Sequence, residues 1–314
     1  MKLNLTACII CKNEESHIER CLNTLSSFVE NIILVDTGSK DTTLKIANKY
    51  NVNVFFHNWE NDFSIARNSS IKYALNDWIL ILDADETIDL SNLNLPNLNS
   101  KIGGVRLNIK NYIDEELNNY STHQYTRIFR RHPKIQFEGN IHEQINQSIL
   151  DLGLEIIDSN IEIIHYGYIN TSNDKKNRNK SLLEKSNLNE HYNKLNYADT
   201  LFSLEDNDIA LKYYLEIDNS NELTLYQKEH VKIRIAQIYL KQNNFTLVKK
   251  YLEFKSSNHD LEGLRIFILA ASYLSEKNYL ESLNLYNKVK NSNSKLVNIK
   301  LVDDAINLLN KIIS

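Results

Sequence analysis

Two carboxylates one residue apart, Asp83 and Asp85, follow an unbroken apolar run, Trp78–Leu82, and Glu86 comes directly after them. A run of that length reads as a buried strand, and in open α/β sheets ligands sit beyond the carboxyl ends of the strands. On extended chain, Asp83 and Asp85 would point the same way. Paired acids at such a place suit a hard cation, because Mg²⁺ and Mn²⁺ take oxygen ligands and Mg²⁺ is commonly shared between carboxylates and substrate phosphates. The plainer reading is a turn after a strand, where Asp is common.

The elements that must position these acids alternate. Residues 3–11 read as a strand, followed by a turn at Lys12-Asn13-Glu14-Glu15 and a helix with Ile18, Cys21, Leu22 and Leu25 on one face. A second strand, Ile32–Val35, ends in Asp36-Thr37-Gly38-Ser39-Lys40-Asp41-Thr42-Thr43, a turn glycine followed by helix-capping side chains. A third strand, Val52–His57, leads to Trp59-Glu60-Asn61-Asp62-Phe63 and a helix over Ser64–Leu75. This alternation predicts a parallel, nucleotide-binding type of sheet. Beyond Leu90 the pattern shifts to short strands, at Val105–Tyr112, Tyr125–Phe129, Ile135–Phe137 and Ile161–Tyr166. Arg127, Arg130 and Arg131 lie among them, followed by Gly139-Asn140-Ile141-His142-Glu143.

A composition break comes next. Six of the seven glycines and both prolines fall at or before Gly167, and Asn170–Lys180 is polar and basic. The chain beyond reads as helical. Ala236, Tyr239, Leu240, Asn244 and Phe245 recur 34 residues later as Ala270, Tyr273, Leu274, Asn278 and Tyr279. That is the tetratricopeptide period of paired helices, and Leu201–Leu215 reads as a degenerate earlier copy. The competing interpretation is an unrelated helical bundle. The expected division is residues 1–169 as an α/β domain and 170–314 as an all-α, tetratricopeptide-like domain.

Composition narrows the classes. The 314 residues carry 24% charged and 42% hydrophobic side chains and a formal charge of -4, which suits a globular protein and offers nothing for a non-specific nucleic-acid binder. No apolar run approaches a membrane span, and the first strand begins too early for a signal peptide, so the expected location is the cytoplasm. Cys8, Cys11, His17 and Cys21 can be drawn as a zinc site, but Cys8 lies in an apolar strand and Cys21 on an apolar helix face, where free thiols pack as small hydrophobes. There is no G-x-x-x-x-G-K and no G-x-G-x-x-G, so neither a P-loop nor a dinucleotide site is supported. A metal-binding acid pair without those loops points to a diphosphate substrate, and sugar transfer from a nucleotide sugar fits.

The motifs C-K-N-E-E (11–15), V-D-T-G-S-K-D-T-T (35–43), W-E-N-D-F-S-I-A-R-N (59–68) and D-A-D-E (83–86) stand in the order seen in family 2 glycosyltransferases, which the chain resembles over roughly residues 1–168. The resemblance implies a GT-A fold and an inverting transfer from a UDP-sugar with Mn²⁺ or Mg²⁺. It implies that Asp36 contacts the uracil or ribose, with Asn13, Glu14 and Asp62 lining the same end. Arg67 would reach the diphosphate, Asp85 would bind the metal with Asp83 toward ribose and metal, and His165 would be a further metal or phosphate ligand. The alternative for Asp36 and Asp62 is a helix cap, and for His165 a core histidine. His142 and Glu143 form the candidate base pair, with His142 otherwise packing against the sheet.

With its helical tail and the run from Tyr125 through Gly139-Asn140-Ile141-His142-Glu143 to His165-Tyr166-Gly167-Tyr168, the chain looks most like the peptide S-glycosyltransferases that modify glycocin bacteriocins. That implies a Cys or Ser side chain of a peptide as acceptor and leaves room for a homodimer through the helical domain. Lipopolysaccharide-core glucosyltransferases share the N-terminal motifs, so a cell-surface glycan acceptor stays open. So does a helical-repeat adaptor with an inactive transferase domain, although Asp36, Asp83 and Asp85 are all present.

Overall fold

The computed structural model describes residues 2–112, 120–167 and 173–313; Tyr168 and part of the basic stretch 170–180 lie outside them. The described residues fall into two compact units, one holding the sheet and the helices packed on it, the other all helical.

The first unit begins with β1 (Leu3–Cys11), α1 (Ile18–Ser26), β2 (Val29–Asp36), α2 (Thr43–Ala47), β3 (Asn53–Phe56), α3 (Phe63–Ile71) and β4 (Trp78–Ile81). β5 (Glu86–Ile88), β6 (Ile102–Tyr112), β7 (Tyr120–Arg130), α4 (Asn146–Leu150) and β8 (Glu155–His165) complete it. The eight strands form one sheet in the order β3-β2-β1-β4-β7-β6-β8-β5. The first four strands are parallel, as the alternation predicts, while β7 pairs antiparallel with β4, and β5 antiparallel with β8. β1 and β4 are apolar on both faces because helices and loops cover both sides, so Leu5, Ile9, Leu80 and Leu82 enter one core and Cys8, Ile79 and Ile81 the other. Cys8, Cys11 and Cys21 are all buried free thiols. Cys8 and Cys21 each lie against a backbone carbonyl, Ser70 O at 3.6 Å and Asp83 O at 3.5 Å.

Three local expectations change. The helix after Asp62 stops at Ile71 rather than Leu75, because a turn carries Tyr73 and Ala74 back toward β4. Ile135–Phe137 is not a strand but a loop, with Ile135 and Phe137 buried against the sheet. The chain at Asp83–Asp85 is a turn closed by Glu86 N–H to Asp83 O at 3.0 Å. The two aspartates therefore do not share the direction that extended chain would impose.

The second unit consists of α5 (Asn173–Glu184), α6 (His191–Ser203), α7 (Asn207–Ile217), α8 (Leu225–Lys241), α9 (Phe245–Tyr251), α10 (His259–Ser275), α11 (Tyr279–Ser292) and α12 (Ile299–Ile313). The 34-residue repeat extends to individual hydrogen bonds. Asn244 N–H donates to Tyr239 O at 2.9 Å, and Asn278 N–H to Tyr273 O at 2.9 Å. Asn243 and Lys277, at φ 58° and 63°, make the same left-handed turn before them. Each Asn side chain then accepts an N–H in the first turn of the following helix, from Leu247 at 3.3 Å and Glu281 at 3.4 Å. Ala236 and Ala270 are fully buried where a larger side chain would force the paired helices apart.

Removing such a cap costs about 1 kcal/mol. Asn244→Ala and Asn278→Ala should each lower the helical unfolding transition, followed by circular dichroism, by about that amount. Fluorescence from Trp59 and Trp78, both in the sheet unit, should shift less in the same samples.

Candidate active site

The carboxyl ends of the parallel strands lie side by side: Cys11 is level with Asp36, and Asp36 with Phe56. The loops leaving them are laced together. Asn13, at φ 56°, donates its N–H to Ser39 Oγ at 2.9 Å and accepts Lys40 N–H on Oδ1 at 2.8 Å. Glu14 N–H donates to Thr43 Oγ1 at 2.8 Å. The Asp36 carboxylate is buried and folds over its own turn, accepting N–H groups of Gly38 at 3.0 Å and Ser39 at 3.0 Å. Gly38 has φ 108°, a conformation that favours glycine.

α3 organises the next part. Asp62 is its N-cap, accepting from Ile65 N–H at 3.1 Å and Ser64 Oγ at 2.7 Å. From the same helix Phe63 N–H donates to Asn140 O at 2.8 Å, and Asn68 exchanges two 2.9 Å bonds with the backbone of Phe137. Arg67, one residue before Asn68, pairs with Glu143 and with Asp83, the latter at 2.7 Å. The motif spanning Asp62–Asn68 thus holds the segment 137–143 in place. Within that segment Gly139 and His142 both have positive φ, 101° and 54°, the second uncommon for a residue with a side chain.

At the end of β4 charges are packed together, with Arg67, Arg127 and Glu86 largely buried and Asp83 partly exposed. Asp83 offers one oxygen to Arg67 Nη2 and the other to Arg127 Nη2 at 3.2 Å. Arg127 also donates to Glu86 at 2.7 Å, and Glu86 Oε2 accepts Asp83 N–H at 2.8 Å. Burial opposes ionisation of Asp83, but Arg67 and Arg127 outweigh it and hold the carboxyl well below the usual range. For Glu86 burial prevails over Arg127, and its pKa is raised.

Two expected site residues have protein partners here. Each Asp83 oxygen faces a guanidinium group, and the side chain stays partly exposed. Arg67 is not extended toward a diphosphate: it is 7% exposed and lies between two carboxylates.

Asp85 goes elsewhere. Its Oδ1 lies 3.4 Å from His165 Nε2, because β5 and β8 pair Glu86 directly with His165. A Cβ on Gly167 would stand 2.2 Å from Asp85 Oδ2 and 2.6 Å from His165 Nε2, so the pair occupies space that only a glycine leaves open. Burial disfavours a charged His165, but Asp85, helped by Glu86 and Asp83, raises its pKa overall. Among the described residues no three His, Cys, Asp or Glu side chains converge as a metal cage. A carboxylate oxygen and an imidazole nitrogen facing one small space nevertheless fit a divalent cation that draws its other ligands from a phosphate substrate.

Residues 6–149 match the model of glycosyl transferase family 2. That match covers most of the sheet unit, which has the sequence of a family 2 glycosyltransferase domain. Over 292 residues the chain is 27% identical to the SPbeta prophage-derived glycosyltransferase SunS of Bacillus subtilis, covering 90% of this chain and 61% of that protein. A TPR repeat-containing protein of Synechococcus elongatus is 33% identical over 174 residues, 52% of this chain and 42% of that one. Among solved structures, Staphylococcus aureus TarS 1-349 in complex with UDP-GlcNAc is 16% identical, covering 93% of this chain and 91% of that one at a TM-score of 0.37, too loose to transfer a residue or a ligand. No helix among the described residues is long and apolar enough to cross a membrane.

Arg127 and Asn111 lie beside Asp83 and His165 but carry no motif that singles them out, and Glu86, the last residue of D-A-D-E, has no expected role of its own. Arg127 stands in the arginine cluster of the sequence and Glu86 closes the acid run; only strand register assigns them partners.

Breaking a buried ion pair by removing one partner costs about 3–5 kcal/mol. Asp83 is partly exposed and Arg67 and Arg127 each keep a second carboxylate, so Asp83→Asn should fall below that range. Asp85→Asn should cost much less. Thermal melts of the two variants, read by tryptophan fluorescence, check the contrast.

Proposed function

We propose that this protein is an inverting, metal-dependent glycosyltransferase that moves a hexose from a UDP-sugar to a cysteine, or a serine, of a peptide acceptor such as a bacteriocin precursor. The observation that carries the metal-dependent part is the convergence of Asp85 and His165 over Gly167. The peptide acceptor is supported by the sequence run from Tyr125 to Tyr168 and by the helical repeats beyond it, since stacked repeats form surfaces for partners. The UDP donor is supported by the family motifs around Asp36.

Asp85 and His165 would hold the cation, whose chemistry is to offset charge developing on the departing diphosphate. The acceptor sulfur or oxygen forms a bond to the anomeric carbon from the face opposite the donor's phosphate. The bond from that carbon to the diphosphate oxygen breaks, and its electron pair leaves with the nucleotide. The acceptor proton goes to a base. In the His142-Glu143 pair, Glu143 is 9% exposed and engaged by Arg67, so the reading gives proton removal to His142 and positioning to Glu143. The laced loops of Asn13, Glu14 and Asp36 would form the floor under the nucleoside.

Calorimetry with UDP and Mn²⁺ tests the donor. Binding should exceed that of GDP or ADP, and Asp85→Ala should weaken it and abolish nucleotide release from UDP-sugars while circular dichroism stays unchanged. Transfer at the parent rate by a folded Asp85→Ala variant would overturn the metal assignment.

The acceptor is tested through the base. Removing a general base typically costs ~10²–10⁴ in rate. A thiol with a pKa near ~8.5 already supplies some thiolate at neutral pH, whereas a hydroxyl has no such reserve. His142→Ala should therefore impair transfer to a serine peptide more than to its cysteine counterpart, and raising pH should rescue the cysteine peptide alone. Equal losses without rescue would make His142 structural. Activity on a glycan but on neither peptide would move the acceptor to the cell surface.

A further inference from the structure

Strand register sets a polar row across the outer half of the sheet. Asn111 of β6 lies level with His165 of β8, and His165 level with Glu86 of β5. Asn111 is 3% exposed, and its two ends face two different histidines. Its Oδ1 is 2.7 Å from His165 Nδ1, and its Nδ2 is 2.8 Å from His123 Nδ1 on β7. The row ends at the carboxylate of Asp85, across His165 Nε2.

We propose that Asn111 is the positioning residue of the site: its amide oxygen keeps the proton of His165 on Nδ1 and turns the Nε2 lone pair toward the space shared with Asp85. An imidazole can give a lone pair at Nε2 only in the tautomer that carries its proton on Nδ1, and that proton needs an acceptor when buried. Asn111 Oδ1 is that acceptor. An asparagine amide presents an oxygen at one end and a donor at the other, so what stands behind it decides which end faces His165. His123 is behind it. Burial, and then the charge of Arg127, push its pKa down to about 4, so it stays neutral at ordinary pH and can accept Asn111 Nδ2–H at a bare Nδ1. His123 thereby orients the amide, and the amide orients His165.

Outer hydrogen bonds of this kind fix the ring and raise the basicity of a ligating histidine, and losing one typically costs on the order of 10- to 100-fold in metal affinity. The inference rests on the reading of Asp85 and His165 as cation ligands, yet the tautomer is observable without any cation, so the two fail separately.

The full chain labelled with ¹⁵N-histidine is measured by long-range ¹H–¹⁵N NMR at alkaline pH, where the rings are neutral, with His165→Gln to assign the signal. Parent His165 should carry its proton on Nδ1. Asn111→Asp keeps an acceptor and should preserve that tautomer, whereas Asn111→Leu should shift the proton toward Nε2. Mn²⁺ alone, titrated by electron paramagnetic resonance, should bind Asn111→Leu on the order of 10- to 100-fold more weakly, with Asn111→Asp close to the parent. A proton on Nε2 in the parent overturns the proposal without recourse to any variant, which covers the case where Asn111→Leu does not fold. An unchanged tautomer in a folded Asn111→Leu overturns it as well. An Nδ1 proton in a parent that binds no Mn²⁺ upholds the positioning role and removes the cation reading beneath it.

Discussion

Asp83 carries a guanidinium on each carboxylate oxygen, and those two arginines come from opposite directions, Arg67 on α3 and Arg127 on β7. Placing these ions out of water is costly, and the cost is recovered only when every partner sits at hydrogen-bond distance. That requirement fixes geometry more than it adds stability. Arg67 must also meet Glu143, and Arg127 must also meet Glu86, so α3, β4, β5, β7 and the 137–143 loop are held to one arrangement. A shift of any of them by an ångström would leave a buried charge short of its partner. The turn at Asp83–Asp85 is anchored on the Asp83 side, and two residues on the Asp85 carboxylate faces His165 of β8.

This division of labour explains what the sequence could and could not disclose. The alternating strands and helices from Leu3 to Leu82 are legible because buried parallel strands are apolar runs and the helices between them have apolar faces. The helical repeat is legible because its period survives in small and capping residues, Ala236 and Ala270, Asn244 and Asn278. The acid run is legible as a site, but its extended-chain geometry is not what forms. A three-residue strand, β5, starts at Glu86, and joining it to β4 needs a tight turn that sends Asp83 inward and Asp85 toward β8.

Partnerships made by register were harder to read. Asn111, His165 and Glu86 are far apart in sequence and meet only because β6, β8 and β5 are neighbours in the sheet. Nothing in the local pattern around Asn111 separates it from any other polar residue on a long strand. The same holds for Arg127, whose cluster mates Arg130 and Arg131 bond to backbone carbonyls at Ser100 and Asn76 instead. Alternation places Arg127 on one face of β7, but the charge it meets there depends on which strand lies alongside.

Gly167 shows how closely the outer half of the sheet is fitted to the acids. Its missing Cβ leaves the space in which Asp85 Oδ2 and His165 Nε2 approach, and Tyr166 N–H, just before it, donates to Asp85 O at 3.1 Å. The backbone leaving β8 therefore holds the Asp85 main chain, while the glycine after it makes room for the side chain. The charge cluster seats Asp83 from one side and this strand end seats Asp85 from the other. Between them, two aspartates one residue apart take different partners: Asp83 is held by two guanidinium groups, and Asp85, the less exposed of the two, has an imidazole beside it.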